Sequence, residues 1–389
     1  MHLITDTDRL ATVCAAYGGA PYVTIDTEFL RERTYFAQLC LVQMARPEGA
    51  GGDGLPDAVM VDPLAQGLDL APLFELMAAP VVKVFHAGRQ DIEIFFHLSG
   101  AIPAPVFDTQ IAAMVCGYGE QVGYETLVRR ILKAELDKSS RFTDWSNRPL
   151  SDKQLTYALA DVTHLRGIYE ALAARLESSG RAAWVREELA VLTSTATYRV
   201  DPDEVWRKVK ARSTSPRFLA VVRSLARWRE LTAQARDVPR SRILKDDALV
   251  EVASARPRTP EELGKLRLLQ REGRKAETAA EILAAVAEGL ACPEERLPQI
   301  DPPARRKEGS AAVADLLKVL LKARADELGI ASKLLASAAE LDALAGEEDP
   351  DLPVLRGWRF ESFGRDALKL RDGKLALAVG RLGIELVER

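Results

Sequence analysis

Cysteine and histidine are scarce, with four of each in 389 residues. Cys14, Cys40, Cys116 and Cys292 form no C-x-x-C pair, and none stands at zinc-like spacing from a histidine. A disulfide-stapled secreted domain and a His-rich or thiolate metal site are therefore excluded. Scattered cysteines in a chain of this length read as small buried apolar residues in a reducing compartment, so a cytoplasmic location is expected. Long apolar runs are missing too. None approaches the roughly 18 residues of a membrane span, and no membrane partner is expected. The opening Met1-His2-Leu3-Ile4-Thr5-Asp6 has no basic segment leading into an apolar core, so no secretory leader is expected.

What is present is an ordinary globular composition, 47% hydrophobic and 28% charged, at a length that suits two or three domains. The net charge of −4 hides a division. Residues 1–204 carry a net −10 and residues 205–290 a net +8. Within 205–245 there are 12 Lys or Arg against two acids, Glu230 and Asp237. Such asymmetry points to an anionic partner, though a solvated basic helix face would look the same.

Taken in order, the chain opens with a short strand and a helix over 7–16. Three strands follow in sequence at 22–29, 37–44 and 58–62, joined by turns, which suggests an antiparallel meander. Strands at 81–86 and 106–108 then alternate with helices at 70–78, 89–98 and 109–116, which argues for parallel additions. The expectation is an α/β domain with a mixed five-stranded sheet and helices on its faces. A helix over 124–133 and a polar loop over 136–150 lead to a long helix from Ser151. Ser151 and Gln154 there form the S-x-x-Q capping pattern. From about 197 only helical periodicity remains, at 215–235, 244–254, 259–265 and 273–289. Prolines and the run Arg305-Arg306-Lys307 mark a linker. A second helical region is expected over 310–389, its last helix near 361–383.

The stretch Tyr22-Val23-Thr24-Ile25-Asp26-Thr27-Glu28-Phe29 is rich in strand-forming residues. Residues two apart share a strand face, so Asp26 and Glu28 point the same way. Two such carboxylates repel unless a cation lies between them, and a divalent metal would satisfy them. A solvated acidic edge strand is the alternative. Asp91, in Phe85-His86-Ala87-Gly88-Arg89-Gln90-Asp91, falls on the first turn of a helix, a place where acids also sit simply to complement the helix dipole. Tyr157 and Asp161, four apart, share a helix face, as many surface pairs do.

Taken together, these residues resemble the DEDD superfamily of 3′–5′ exonucleases, tyrosine subclass. Asp26-Thr27-Glu28, His86 to Asp91, and Tyr157 to Asp161 match its three motifs in order. The likeness is greatest to its ribonuclease D branch, carried also by Phe107-Asp108-Thr109-Gln110 and by Asp144-Trp145-Ser146-Asn147-Arg148-Pro149-Leu150. The position that holds histidine in the sister subclass is Thr156. The resemblance implies a ribonuclease H-like sheet domain over 1–200. It also implies an HRDC-like helical module over 211–292, a linker at 293–309 and a second, divergent HRDC-like all-α module over 310–389.

The resemblance further implies Asp26, Glu28, Asp91, Tyr157 and Asp161 as the catalytic set. Four carboxylates without Cys or His make an all-oxygen site, which favours two Mg²⁺ or Mn²⁺ ions over zinc. Asp26 would bridge the ions, Glu28 and Asp161 completing one and Asp91 the other. Tyr157 would orient the attacking water, since a phenol of pKa near 10 is a poor base at neutral pH. Arg31, Arg33, Tyr35 and Phe36 after the first motif, and Trp145 and Arg148 before the catalytic helix, are candidates to grip or stack RNA, with core packing the alternative for the aromatics. His86 would buttress the active-site turn. The expected partners are RNAs, specifically tRNA 3′ ends and other small structured RNAs, trimmed to nucleoside 5′-monophosphates. A DNA exonuclease of the same subclass, or a nucleic-acid-binding protein without catalysis, are the other readings. A monomer is the simplest expectation.

Overall fold

The computed structural model describes residues 2–50, 54–137, 143–211, 213–269, 275–299, 309–381 and 383–389. The linker run Arg305-Arg306-Lys307 lies outside the described residues. The N-terminal part runs β1 (Leu3–Ile4), α1 (Thr7–Gly18), β2 (Tyr22–Leu30), β3 (Gln38–Ala45), β4 (Ala58–Val61), α2 (Ala71–Ala78), β5 (Val82–Phe85), α3 (Arg89–Ser99), β6 (Val106–Asp108) and α4 (Thr109–Val115). A short helix α5 (Tyr124–Leu127), the long helix α6 (Asp152–Ser178) and α7 (Ala182–Leu189) complete it.

The sheet order is β1-β4-β3-β2-β5-β6, with β2, β3 and β4 antiparallel and β5 and β6 parallel to β2. The meander and the parallel additions are therefore both present. The sheet has six strands rather than the expected five. The addition is the expected short opening strand, the two-residue β1, whose parallel pairing with β4 no local pattern announces.

The register explains where a site can form. β2 pairs with β5 only from Tyr22↔Val82 to Thr24↔Val84, but with β3 as far as Leu30↔Gln38. The second half of β2 thus overhangs β5, and that half carries Asp26 and Glu28. Helix α6 crosses the same face. The Thr24 hydroxyl ties it down, lying 2.8 Å from the Val162 carbonyl on α6 and 3.0 Å from the Ala45 carbonyl on β3. The expected capping box at Ser151 and Gln154 starts α6.

The chain continues through α8 (Pro216–Ala235), α9 (Arg240–Ile243), α10 (Asp246–Ala255), α11 (Pro260–Gly264) and α12 (Ala276–Leu290), a helical module with its own core around Val221, Leu225, Leu249, Val252 and Ile282. The last region starts with α13 (Ser310–Leu328). It ends not in the expected helix over 361–383 but in an antiparallel hairpin of β7 (Leu375–Gly380) and β8 (Gly383–Glu388). Helix stops at Arg371, and Gly373, at φ +73°, takes a conformation that side chains resist. The final region is therefore not all-α. Nor does it stand apart: its buried residues, among them Leu317, Leu344 and Phe363, are continuous with the core of the sheet domain. No helix among the described residues is long and apolar enough to cross a membrane.

Candidate active site

Asp26 and Glu28 on β2 meet Asp161 on α6, with one carboxylate oxygen from each lying within 4.8 Å of the others. Strand alternation places the first two on the face that α6 covers, and the helix delivers the third from above. Asp91, on the first turn of α3, approaches from the end of β5. It is 7% exposed, and its carboxylate accepts a hydrogen bond from the Thr27 hydroxyl.

The electrostatics are those of crowded acids. Burial, then Asp161, Asp91 and Glu28, push Asp26 well above the usual carboxylate range. Burial, then Asp161 and Asp91, push Glu28 up to about 8. Asp91 is raised to about 6, again chiefly by burial, with the Thr27 hydroxyl pulling the other way. Without a cation Glu28 holds its proton near neutral pH. The donor set consists of carboxylate oxygens alone, which fits hard divalent ions. Gln43, directly opposite Asp26 in the β2–β3 register, is fully buried, and neither end of its amide has a hydrogen-bond partner.

The supporting residues come from distant parts of the chain. The Tyr124 hydroxyl donates to the Asp161 carbonyl, fixing the turn of α6 that carries the ligand. His86 sits 3.0 Å through Nδ1 from the Thr109 hydroxyl, and its ring lies 5.4 Å from that of Tyr124. The Asp108 carboxylate accepts from the Ala87, Gly88, Gln110 and Ile111 amides, so one side chain holds the β5–α3 turn and starts α4. A Cβ at Gly88 would stand 2.4 Å from Phe85 Cβ, which is why glycine occupies the turn. Tyr124 and Gln43 had no local sequence signal; Asp108 had a family likeness but no evident role.

Tyr157 lines the same pocket as Asp26, Glu28 and Asp161. Trp145 is buried, 6.2 Å ring to ring from Tyr157. Arg148 is engaged within the fold, 2.7 Å from both Asp62 oxygens and 2.7 Å from the Trp145 and Cys40 carbonyls. Arg31 pairs with Glu93 at 2.7 Å. Tyr35 and Phe36 face the helical module. The Tyr35 hydroxyl donates to Glu230, the Tyr35 and Phe36 amides each lie 3.0 Å from the Asp237 carboxylate, and the Phe36 ring stacks on His97 at 3.6 Å.

Residues 1–177 match the model of a family described as a 3′–5′ exonuclease, and residues 218–286 match the HRDC domain. The chain is 55% identical over its full length to a ribonuclease D of Jannaschia sp., covering 99% of that protein. It is 50% identical to a ribonuclease D of Nitrobacter hamburgensis, each chain covered completely. The crystal structure of Escherichia coli RNase D, an exoribonuclease involved in structured RNA processing, superposes with a TM-score of 0.81 at 31% identity, covering 96% of this chain and 98% of that one.

Proposed function

The chain belongs to the ribonuclease D family, and from that membership we propose that it trims tRNA precursors and other small structured RNAs in the cytoplasm, with Mg²⁺ or Mn²⁺ at the carboxylate cluster. It is a 3′–5′ exoribonuclease. The observation that carries the site reading is the meeting of Asp26, Glu28 and Asp161 within 4.8 Å.

Divalent ions held by these three and by Asp91 would supply an activated water and charge to offset the leaving oxygen. The chain's own part is to hold and orient. Asp26, whose carboxylate feels the charges of Asp161, Asp91 and Glu28 alike, is suited to serve both ion positions. Tyr157 lines the pocket and suits a water-orienting role, its phenol being too weak a base for proton abstraction at neutral pH. Tyr124 and Asp108 fix the backbones that carry Asp161 and Asp91. Water adds to phosphorus, the 3′-oxygen of the shortened RNA departs with a proton, and a nucleoside 5′-monophosphate is released.

The test is an assay of purified protein on a 3′-extended tRNA, a linear RNA and a DNA of equal length, with Mg²⁺, with Mn²⁺ and with EDTA. Metal-dependent shortening of the RNAs from the 3′ end is expected, abolished by EDTA and by Asp26→Asn, with the variant still folded and still binding RNA. Cleavage retained in Asp26→Asn would refute the assigned centre.

A further inference from the structure

A cleft of about 950 Å³ lies between α3, the hairpin loop 31–37, the connecting segment 195–208 and the α8–α9 corner of the first helical module. Arg89 and Gln90, which line it, immediately precede Asp91 on α3, and Tyr198 on its wall feels the Asp91 charge, so the cleft lies within electrostatic reach of that carboxylate. Among the cations on its walls, Arg89, Arg199 and Lys208 are exposed, and none makes an ion pair or side-chain hydrogen bond with another described residue. Two of the three acids on the same walls are ion-paired, which leaves Asp201 alone against the three cations. Glu93 is held by Arg31, Glu204 by Arg207, and Asp201 accepts from the Asp203 amide at 2.9 Å. The cleft therefore presents uncompensated positive charge beside an anionic centre. The rings of Phe96 and Tyr198, 6.0 Å apart, give it apolar surface as well.

We propose that this cleft seats the single-stranded RNA on the 5′ side of the bond being cut. The proposal rests on the exoribonuclease reading and adds where the undigested strand lies. An exonuclease places its terminal phosphodiester at the carboxylates, and all remaining RNA must leave on the other side. That strand is a polyanion, and an acidic centre repels it unless cations flank the exit. The three unpaired cations stand on two segments: Arg89 on α3, and Arg199 and Lys208 nine residues apart on the connector. This spread suits successive phosphates of a strand better than the single phosphate of a released mononucleotide. Phosphate contacts of this kind position a strand without reading its sequence, and aromatic walls tolerate any base.

The experiment compares Arg199→Gln/Lys208→Gln with the parent, both in the Asp26→Asn background, binding a ten-nucleotide RNA, a dinucleotide and a nucleoside 5′-monophosphate across a salt series. Both side chains are exposed, and a matching melting temperature verifies the fold. Losing two single-strand phosphate contacts should make the slope of log K against log salt shallower by about 1.4 and weaken the ten-nucleotide RNA about 25-fold at 0.1 M salt. The dinucleotide should lose much less. Unchanged affinity and slope for the long RNA would overturn the proposal. So would an equal loss for the mononucleotide, which would make the cleft a product site. A wild-type protein that leaves RNA undegraded would overturn the exoribonuclease reading itself; intact degradation with unchanged binding would remove the cleft alone.

Discussion

Asp26 and its neighbours were legible because their spacing is local. Two acids two apart on a strand share a face, and a Tyr and an Asp four apart share a helix face. Gln43 was not legible, since nothing in Leu41-Val42-Gln43-Met44 announces that it will sit beside Asp26. Its partnerless buried amide costs about 1–3 kcal/mol in the metal-free protein. Such a side chain next to a ligand is placed to tune how tightly that ligand holds an ion. Gln43→Leu should therefore leave the stability of the metal-free protein unchanged or raised, while weakening Mn²⁺ binding roughly tenfold. Thermal melting in EDTA and calorimetric Mn²⁺ titration measure the two effects. An unaltered Mn²⁺ affinity would assign Gln43 no part in the centre.

At the scale of elements, strands of eight or nine residues such as β2 and β3 announced themselves, and so did the short opening strand, though not its place in the sheet; the β7–β8 hairpin did not. In Leu375-Ala376-Leu377-Ala378-Val379-Gly380 alanine supports either periodicity, so only pairing with β8 decides it. The contact between the loop after β2 and the α8–α9 corner was equally hidden. The loop's aromatics read as RNA-stacking candidates, yet Tyr35 reaches Glu230, a fully buried carboxylate on α8 that Arg240 also holds. Burial pushes Glu230 up, but hydrogen bonds from Arg240 and Tyr35 outweigh it and the carboxylate ends below its ordinary 4.5. A depressed acid contributes stability that is present above the unfolded value and is lost as pH falls through the folded one. The link between the module and the loop should accordingly weaken below about pH 4.5. Arg240→Met removes the cation and leaves a buried charge. It should destabilise the helical module by about 3 kcal/mol, the low end for a broken buried pair because Arg240 is partly exposed. Faster hydrogen exchange at the Tyr35 and Phe36 amides would report the loosened loop. Unchanged exchange and melting would show that Arg240 does not maintain the contact.

For the whole molecule, the charge division read from the sequence separated an acidic catalytic part from a basic helical one, and the two cores follow that division. Which core the last region joins depends on long-range contacts that no local pattern carries. Trp358 stacks on Trp184 of α7 at 4.4 Å, Arg359 reaches Glu188 at 2.6 Å, and Arg181 reaches the Leu328 carbonyl at 2.7 Å. Gly117 comes so close to this region that a Cβ there would stand 2.2 Å from the Gly329 carbonyl oxygen. The catalytic sheet and the last region should therefore unfold together, and the first helical module by itself. Trp358 is 8% exposed, so Trp358→Ala should cost about 3–5 kcal/mol. That cost should fall on the calorimetric transition of the sheet domain, although the residue lies nearly two hundred positions from Asp161. Leu249→Ala, in the separate core of the helical module, should cost about 2–5 kcal/mol in the other transition alone. A Trp358→Ala protein whose sheet transition is unmoved would show that the last region is docked onto the catalytic part without sharing its stability.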